Sequence, residues 1–363
     1  MNFKSVCMPM KPKLNNSGFK ILPLVTNVVG DILDCETVLT FNVLHGFKDN
    51  HVTMDDYIKE LNNIDITYDR VVMDKDFVEQ AKQNIVNFYE KGLVEIEDKD
   101  VISCECGVVN TTKENIDKIS KMKLAHFENG IVVCEKCGKE CKSRVQKVLV
   151  LKTKKINLGT IQIFPDNLTK EINDLLSTYK DTNILISKTR NTGVKLMIEG
   201  NVFNIDVDMV WSQYLSFYNQ TNIVTVGSSH VLYAMVLSYI MERAINSTNN
   251  VIFLAVPYLK NLKDDVDLFN ELKDNTLKKL MTLFCCKWGN KQCYFSQEVF
   301  DKLNQFSQNE IHDSYEIMTK YSDGRKNQPL EHENEYKYFS RLIKYGTNFQ
   351  KNLKYLKSGV YKP

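Results

Sequence analysis

Ile223-Val224-Thr225-Val226-Gly227-Ser228-Ser229-His230-Val231-Leu232 reads as a buried strand that turns at a glycine into a helix. The four residues before Gly227 are all β-branched and suit an extended backbone. Ser228 or Ser229 can cap the helix, and Leu232, Met235, Val236, Tyr239 and Ile240 then recur at helical spacing. A second apolar run, Val251 to Val256, ends at Pro257. A strand, a helix and a second strand without alternation fit a parallel sheet covered on both faces.

Earlier segments extend this pattern. Ile21 to Val29 is apolar enough for a buried strand or the first turns of a helix ending near Gly30-Asp31, and Thr37 to His45 alternates as a strand. Thr53 is placed to cap a helix carrying Tyr57, Ile58 and Leu61; Asp76 is placed to cap another, with Phe77, Val78, Ala81, Ile85 and Phe88, closed by Gly92. Val145 to Leu151 reads as a strand, Thr169 to Tyr179 as a helix and Ile184 to Ile186 as a short strand. Val202 to Met209 alternates, which predicts Asp206 and Asp208 on one strand face. Beyond Lys260 the chain reads as helical to its end.

Cys104-Glu105-Cys106-Gly107 and Cys134-Glu135-Lys136-Cys137-Gly138 interrupt the α/β pattern. Two close cysteine pairs, each followed by a glycine that permits a tight turn, let four thiolates converge on one ion. The pattern predicts a structural zinc held by Cys104, Cys106, Cys134 and Cys137, with Cys141 and His126 as spare ligands. The competing reading is four unrelated free thiols in a reducing compartment.

Composition excludes little. The 363 residues carry 47 Lys+Arg and 45 Asp+Glu, a net charge of +2, with 43% hydrophobic residues. Those values suit a globular chain of two or three domains. Ten cysteines without a secretory leader point to a reducing, cytoplasmic setting, and no apolar run approaches the ~18 residues of a membrane span.

In collinear order over about residues 8–305, the chain resembles a reduced class I aminoacyl-tRNA synthetase of the leucyl type. Asn15-Asn16-Ser17-Gly18 and Gly30-Asp31 are similar to the flanks of that family's His-x-Gly-His motif. Ile186-Ser187-Lys188-Thr189-Arg190-Asn191-Thr192-Gly193 resembles its return from the zinc-bearing insertion, and Asp208 to Tyr214 with Val226 to Tyr233 resembles the floor of its aminoacyl-adenylate pocket. The resemblance implies a Rossmann-like parallel sheet split by a zinc-knuckle insertion. Its first half would be 1–95, the insertion 96–158, the second half 159–262, and a helical domain with a basic aromatic tail 263–363. It also implies an adenosine or adenylate pocket at Gly227, Ser228, Ser229, His230, Asp208 and Trp211, retained in vestigial form. The bland readings are an ordinary strand-to-helix turn, a solvated His230, a core Trp211 and a polar edge at Asp206 and Asp208.

The departures matter most. Both histidines are absent, because the motif position falls on Lys20-Ile21-Leu22-Pro23. The family's Lys-Met-Ser-Lys-Ser loop falls near Ala255 to Leu259, with only Lys260 and Asn261 similar to its tail. Those motifs hold a triphosphate and stabilise departing pyrophosphate, which needs cationic donors in place. The family's large editing insertion and anticodon-binding domain also have no counterpart in the sequence. The expectation is therefore a degenerate relative with no catalytic residues, acting by binding tRNA or another structured RNA, or a protein assembly. The alternative is a minimal ligase that still activates an apolar amino acid through Lys20, His45, His230 and Lys260.

After Glu335 no acid remains, while Lys337, Arg341, Lys344, Lys351, Lys354, Lys357 and Lys362 lie among aromatics that include Tyr338, Tyr345, Phe349, Tyr355 and Tyr361. Cations interleaved with aromatics suit RNA, with Lys344, Lys351, Lys354 and Lys357 as candidate contacts; an amphipathic helix with its tyrosines inward is the other reading. A second basic group, Lys136, Lys139, Lys142, Arg144 and Lys147, flanks the cysteines.

Overall fold

The structure, a computed structural model, describes residues 3–14, 17–44, 46, 52–115, 124–180, 183–188, 193–219, 221–261, 271–272, 274–279, 292–295, 300–301 and 304–320. At its centre lies strand β1 (Phe3–Cys7), which sequence reasoning missed. It pairs on one side with β2 (Glu36–Phe41), which pairs in turn with β3 (Arg70–Met73). On its other side a later strand, Asn222–Ser228, places Thr225 opposite Val6; Asn250–Val256 and Gln162–Phe164 follow. All five pairings are parallel, giving a six-stranded sheet.

Helix α1 (Ser17–Leu33) follows β1 and settles the ambiguity of Ile21 to Val29 in favour of a helix. Leu24, Val25, Val28 and Val29 are fully buried in it, so it is apolar around most of its circumference and shows little periodicity. Helix α2 (Met54–Asn62) begins at Thr53 with a reciprocal capping box to Asp56, as its sequence predicts. Helix α3 (Val78–Glu90) starts later than expected: Asp76 does not cap it but lies in a preceding 3-10 turn and accepts the Met73 N–H.

A four-stranded antiparallel sheet carries the cysteines. Its strands β4 (Val94–Ser103), β5 (Asn110–Thr112) and β8 (Lys142–Lys152) are joined by β10 (Asn183–Leu185), beyond the expected end of the insertion. Between them, β6 (Ala125–Glu128) and β7 (Ile131–Cys134) form a hairpin. The strand β9 of the large sheet (Gln162–Phe164) leads into α4 (Thr169–Lys180), and β11 (Val194–Ile198) pairs with β12 (Asn201–Ile205). One expectation fails near the cavity described below. The strand over 202–209 stops at Ile205, after which Asp206 caps the short helix α5 (Val207–Trp211). An Asx oxygen aimed at the next N–H groups favours a helix start over a continued strand.

The strand that opened the sequence reading is β13 (Asn222–Ser228); helix α6 (Leu232–Ile245) and β14 (Asn250–Val256) complete that unit. Beyond it the chain is not wholly helical: β15 (Tyr258–Asn261) pairs in parallel with β16 (Gln292–Phe295) before α7 (Gln308–Lys320). Among the described residues no helix is long and apolar enough to cross a membrane.

Candidate metal centre and ligand cavity

The four predicted cysteines come together. β4 delivers Cys104 and β7 delivers Cys134, and each strand ends in a tight turn closed by Gly107 N–H to Cys104 C=O and Gly138 N–H to Cys134 C=O, both 2.9 Å. Gly107 and Gly138 have φ of 73° and 64°, left-handed values that the glycines allow without strain. The sulfur atoms of Cys104, Cys106, Cys134 and Cys137 all lie within 4.8 Å of one another, with Sγ–Sγ distances of 2.9 Å (Cys104–Cys106), 3.3 Å (Cys104–Cys137) and 3.5 Å (Cys106–Cys134). Four thiolates about 2.3 Å from one zinc ion sit about 3.8 Å apart, so this spacing fits a closed tetrahedral site.

Burial pushes the Cys104 thiol upward, and its sulfur neighbours add to the shift. At Cys106 burial acts the same way but is outweighed by hydrogen bonds from Cys104 and the Val108 N–H, which bring it down to about 6. One thiol of the set is thus ready to ionise, as metal binding requires. The spare ligands stand aside. Cys141 is buried and pushed up to about 11, first by burial and then by the charges of its neighbours. His126 is exposed and meets the Glu135 carboxylate at 2.7 Å.

Beside the cluster lies a cavity of about 1230 Å³. Cys106 and Lys136 from the two cysteine turns line one wall; Lys188, Asp206, Asp208 and Tyr233 are among the residues lining the others. Asp206 meets the Lys188 ammonium at 2.6 Å and accepts the Asp208 N–H at 2.9 Å. Burial raises the Asp206 carboxyl, and Asp208 raises it further, while Lys188 pulls the other way. Asp208 in turn accepts the Trp211 indole N–H at 2.8 Å, and Trp211 is otherwise packed in the core.

The other predicted pocket residues sit apart from this cavity. Gly227 lies within β13, where a Cβ would collide with the side chains of Met8 and Met235; its small size serves packing. Ser228 accepts the His230 N–H at 3.2 Å, Ser229 is buried, and His230 is exposed near the Tyr258 ring. Lys20–Pro23 occupy the early turns of α1, and there the Lys20 side chain is 3% exposed and its ammonium is held by Glu60. Ile21 and Leu24 beside it belong to the core. The backbone of Lys260 lies in β15 and its side chain is not described; His45, Lys344, Lys351, Lys354 and Lys357 lie outside the described residues.

Sequence reasoning missed Asp74. It is fully buried, and its carboxylate accepts the N–H groups of Val43 (2.9 Å) and Leu44 (3.1 Å), fixing the chain as it leaves β2 toward the cavity. An acid directly after an apolar strand was the only signal.

The chain thus combines a parallel six-stranded sheet with a four-cysteine module set between its strands. The solved structures it resembles include three of methionyl-tRNA synthetase from Mycobacterium tuberculosis. One, bound by methionyl-adenylate, matches with a TM-score of 0.64 and 12% identity over 91% of this chain and 74% of that one. A second, also with methionyl-adenylate, gives 0.64 and 11% over 99% and 84%; the apo form gives 0.62 and 13% over 98% and 81%. No family model matches the sequence, and no curated protein matches it. At such identity the likeness is one of fold.

Proposed function

We propose that this chain is a class I synthetase-like protein that binds RNA and does not form an aminoacyl-adenylate. The observation that carries the reading is Lys20. In the motif resemblance it is the one cation at the position of the lost histidines, and its ammonium is buried against Glu60 instead of facing a cleft. A triphosphate needs cationic donors placed and unspent before it arrives, and Lys20 is spent. This weighs equally against the minimal-ligase reading. Within class I, the leucyl-type assignment rests on motif order, whereas the solved structures it resembles include methionyl enzymes.

RNA is favoured as the partner by seven cations without an acid after Glu335, and by the exposed Lys136, Arg144 and Lys147 beside the cysteines. Zinc in the cluster would be structural: Cys104, Cys106, Cys134 and Cys137 would hold it, and it would pin the two turns without taking part in chemistry. The four-part division at 95, 158 and 262 is part of the same proposal. A gel shift with tRNA across a salt series tests it. Affinity should fall steeply with salt, and each of Lys344→Gln, Lys351→Gln, Lys354→Gln and Lys357→Gln should flatten the log–log slope by about one unit where that lysine meets a phosphate. Absent or salt-insensitive binding would turn the reading toward a protein partner.

A further inference from the structure

The cysteine cluster and the cavity share a wall, and a chain of contacts leads from one to the other. Cys106, Gly107 and Val108 of the first turn and Lys136 of the second face the cavity. Val109 C=O holds the Cys104 N–H at 3.0 Å, and β5 starts one residue later. From there two asparagines cross to the opposite edge of the sheet: Asn115 donates to Asn183 C=O at 2.8 Å and Asn110 to Ser187 C=O at 3.4 Å. Three residues after β10, Lys188 pairs with Asp206 at 2.6 Å, and the Asp206 N–H donates to Ile186 C=O at 2.9 Å. Asp206 also accepts the Asp208 N–H at the start of α5, and both residues line the cavity.

We infer that the cavity is a ligand site organised by the metal, so that occupancy of the cysteine cluster sets the position of Lys188 and the Asp206–Asp208 pair. Without an ion, the thiol contacts, the exposed Glu105–Lys139 ion pair at 3.3 Å and a small apolar cluster around Val109 and Ala125 hold the two turns together. The wall then loosens, and through Asn110 and Asn115 the 183–188 segment loosens with it. Coupling of this kind is reciprocal: whatever binds the cavity better in the metal-loaded form raises metal affinity by the same factor. A typical coupling amounts to about 5- to 150-fold.

Hydrogen exchange on the full chain, zinc-loaded and after chelation, tests this without any ligand. Chelation should speed exchange about 5- to 150-fold in 104–108 and 134–138 and also in 183–188 and 206–208, while β13 and β14 stay protected. In an Asn110→Ala/Asn115→Ala variant that still binds zinc, the effect should stop at the cysteine turns. Exchange confined to the turns in the unaltered chain would overturn the inference. So would acceleration that reaches β13 and β14 equally, because the metal would then act on the whole fold. A second arm, zinc affinity with and without tRNA, rests on the RNA reading. Tighter zinc with tRNA supports both, whereas no change alongside the predicted exchange pattern counts against RNA and leaves the coupling supported.

Discussion

Lys20 and Glu60 make the sharpest case at the scale of single residues. A carboxylate, itself 18% exposed, neutralises this ammonium, which is 3% exposed. Removing one partner of a buried pair costs about 3–5 kcal/mol, whereas replacing both by apolar groups is close to neutral. Glu60→Ala should therefore lower stability in urea unfolding, toward the low end of that range since water reaches Glu60, and Lys20→Met/Glu60→Met should restore most of it. A neutral Glu60→Ala would mean that Lys20 is free to serve elsewhere. Glu242 makes a second prediction. Burial raises its carboxyl, against hydrogen bonds from Ser247 and Asn249 that lower it. Between the ordinary carboxylate value and the raised one, the folded chain keeps a proton that the unfolded chain gives up, so stability falls as pH rises through that window. Glu242→Gln keeps an acceptor for Asn249 and removes the charge. Its melting temperature should decline less than that of the parent over the same window, and parallel declines would contradict the assignment.

Elements differ in how far the sequence exposes them. Thr53 announced its helix because a cap is local, needing only an oxygen and an acid three residues on. The central strand β1 was not legible: Phe3-Lys4-Ser5-Val6-Cys7 holds two polar residues, and both are satisfied from far away, Ser5 by Thr26 C=O at 2.7 Å and Lys4 by Glu36. Asp206 misled for the opposite reason, since it prolongs the alternation of β12 while ending the strand. β15 and β16 are about thirty residues apart, and their pairing left no local mark. The cysteine turns were fully legible, because spacing and glycines dictate their geometry. Native mass spectrometry should accordingly show one zinc, and Cys134→Ser should lower zinc affinity sharply and open the hairpin of β6 and β7. A metal-free chain with both turns intact would contradict the site.

For the whole molecule, the alternation of strands and helices carried the α/β fold, and the structure agrees with it: a six-stranded parallel sheet, a four-cysteine module inserted between its halves, and likeness in fold to methionyl-tRNA synthetase structures at TM-scores of 0.62–0.64. What order could not convey is which side chains remain available for chemistry. That depends on contacts such as Lys20 with Glu60 and Gly227 beneath Met8, set by packing between segments distant in sequence. On the proposed function the scaffold persists while adenylation does not. ATP–pyrophosphate exchange on zinc-loaded, folded protein, with each amino acid in turn, tests it most directly. No exchange above background is expected with any of them; exchange with leucine, methionine or another apolar amino acid would show that the chemistry survives on other residues and would overturn the proposed function.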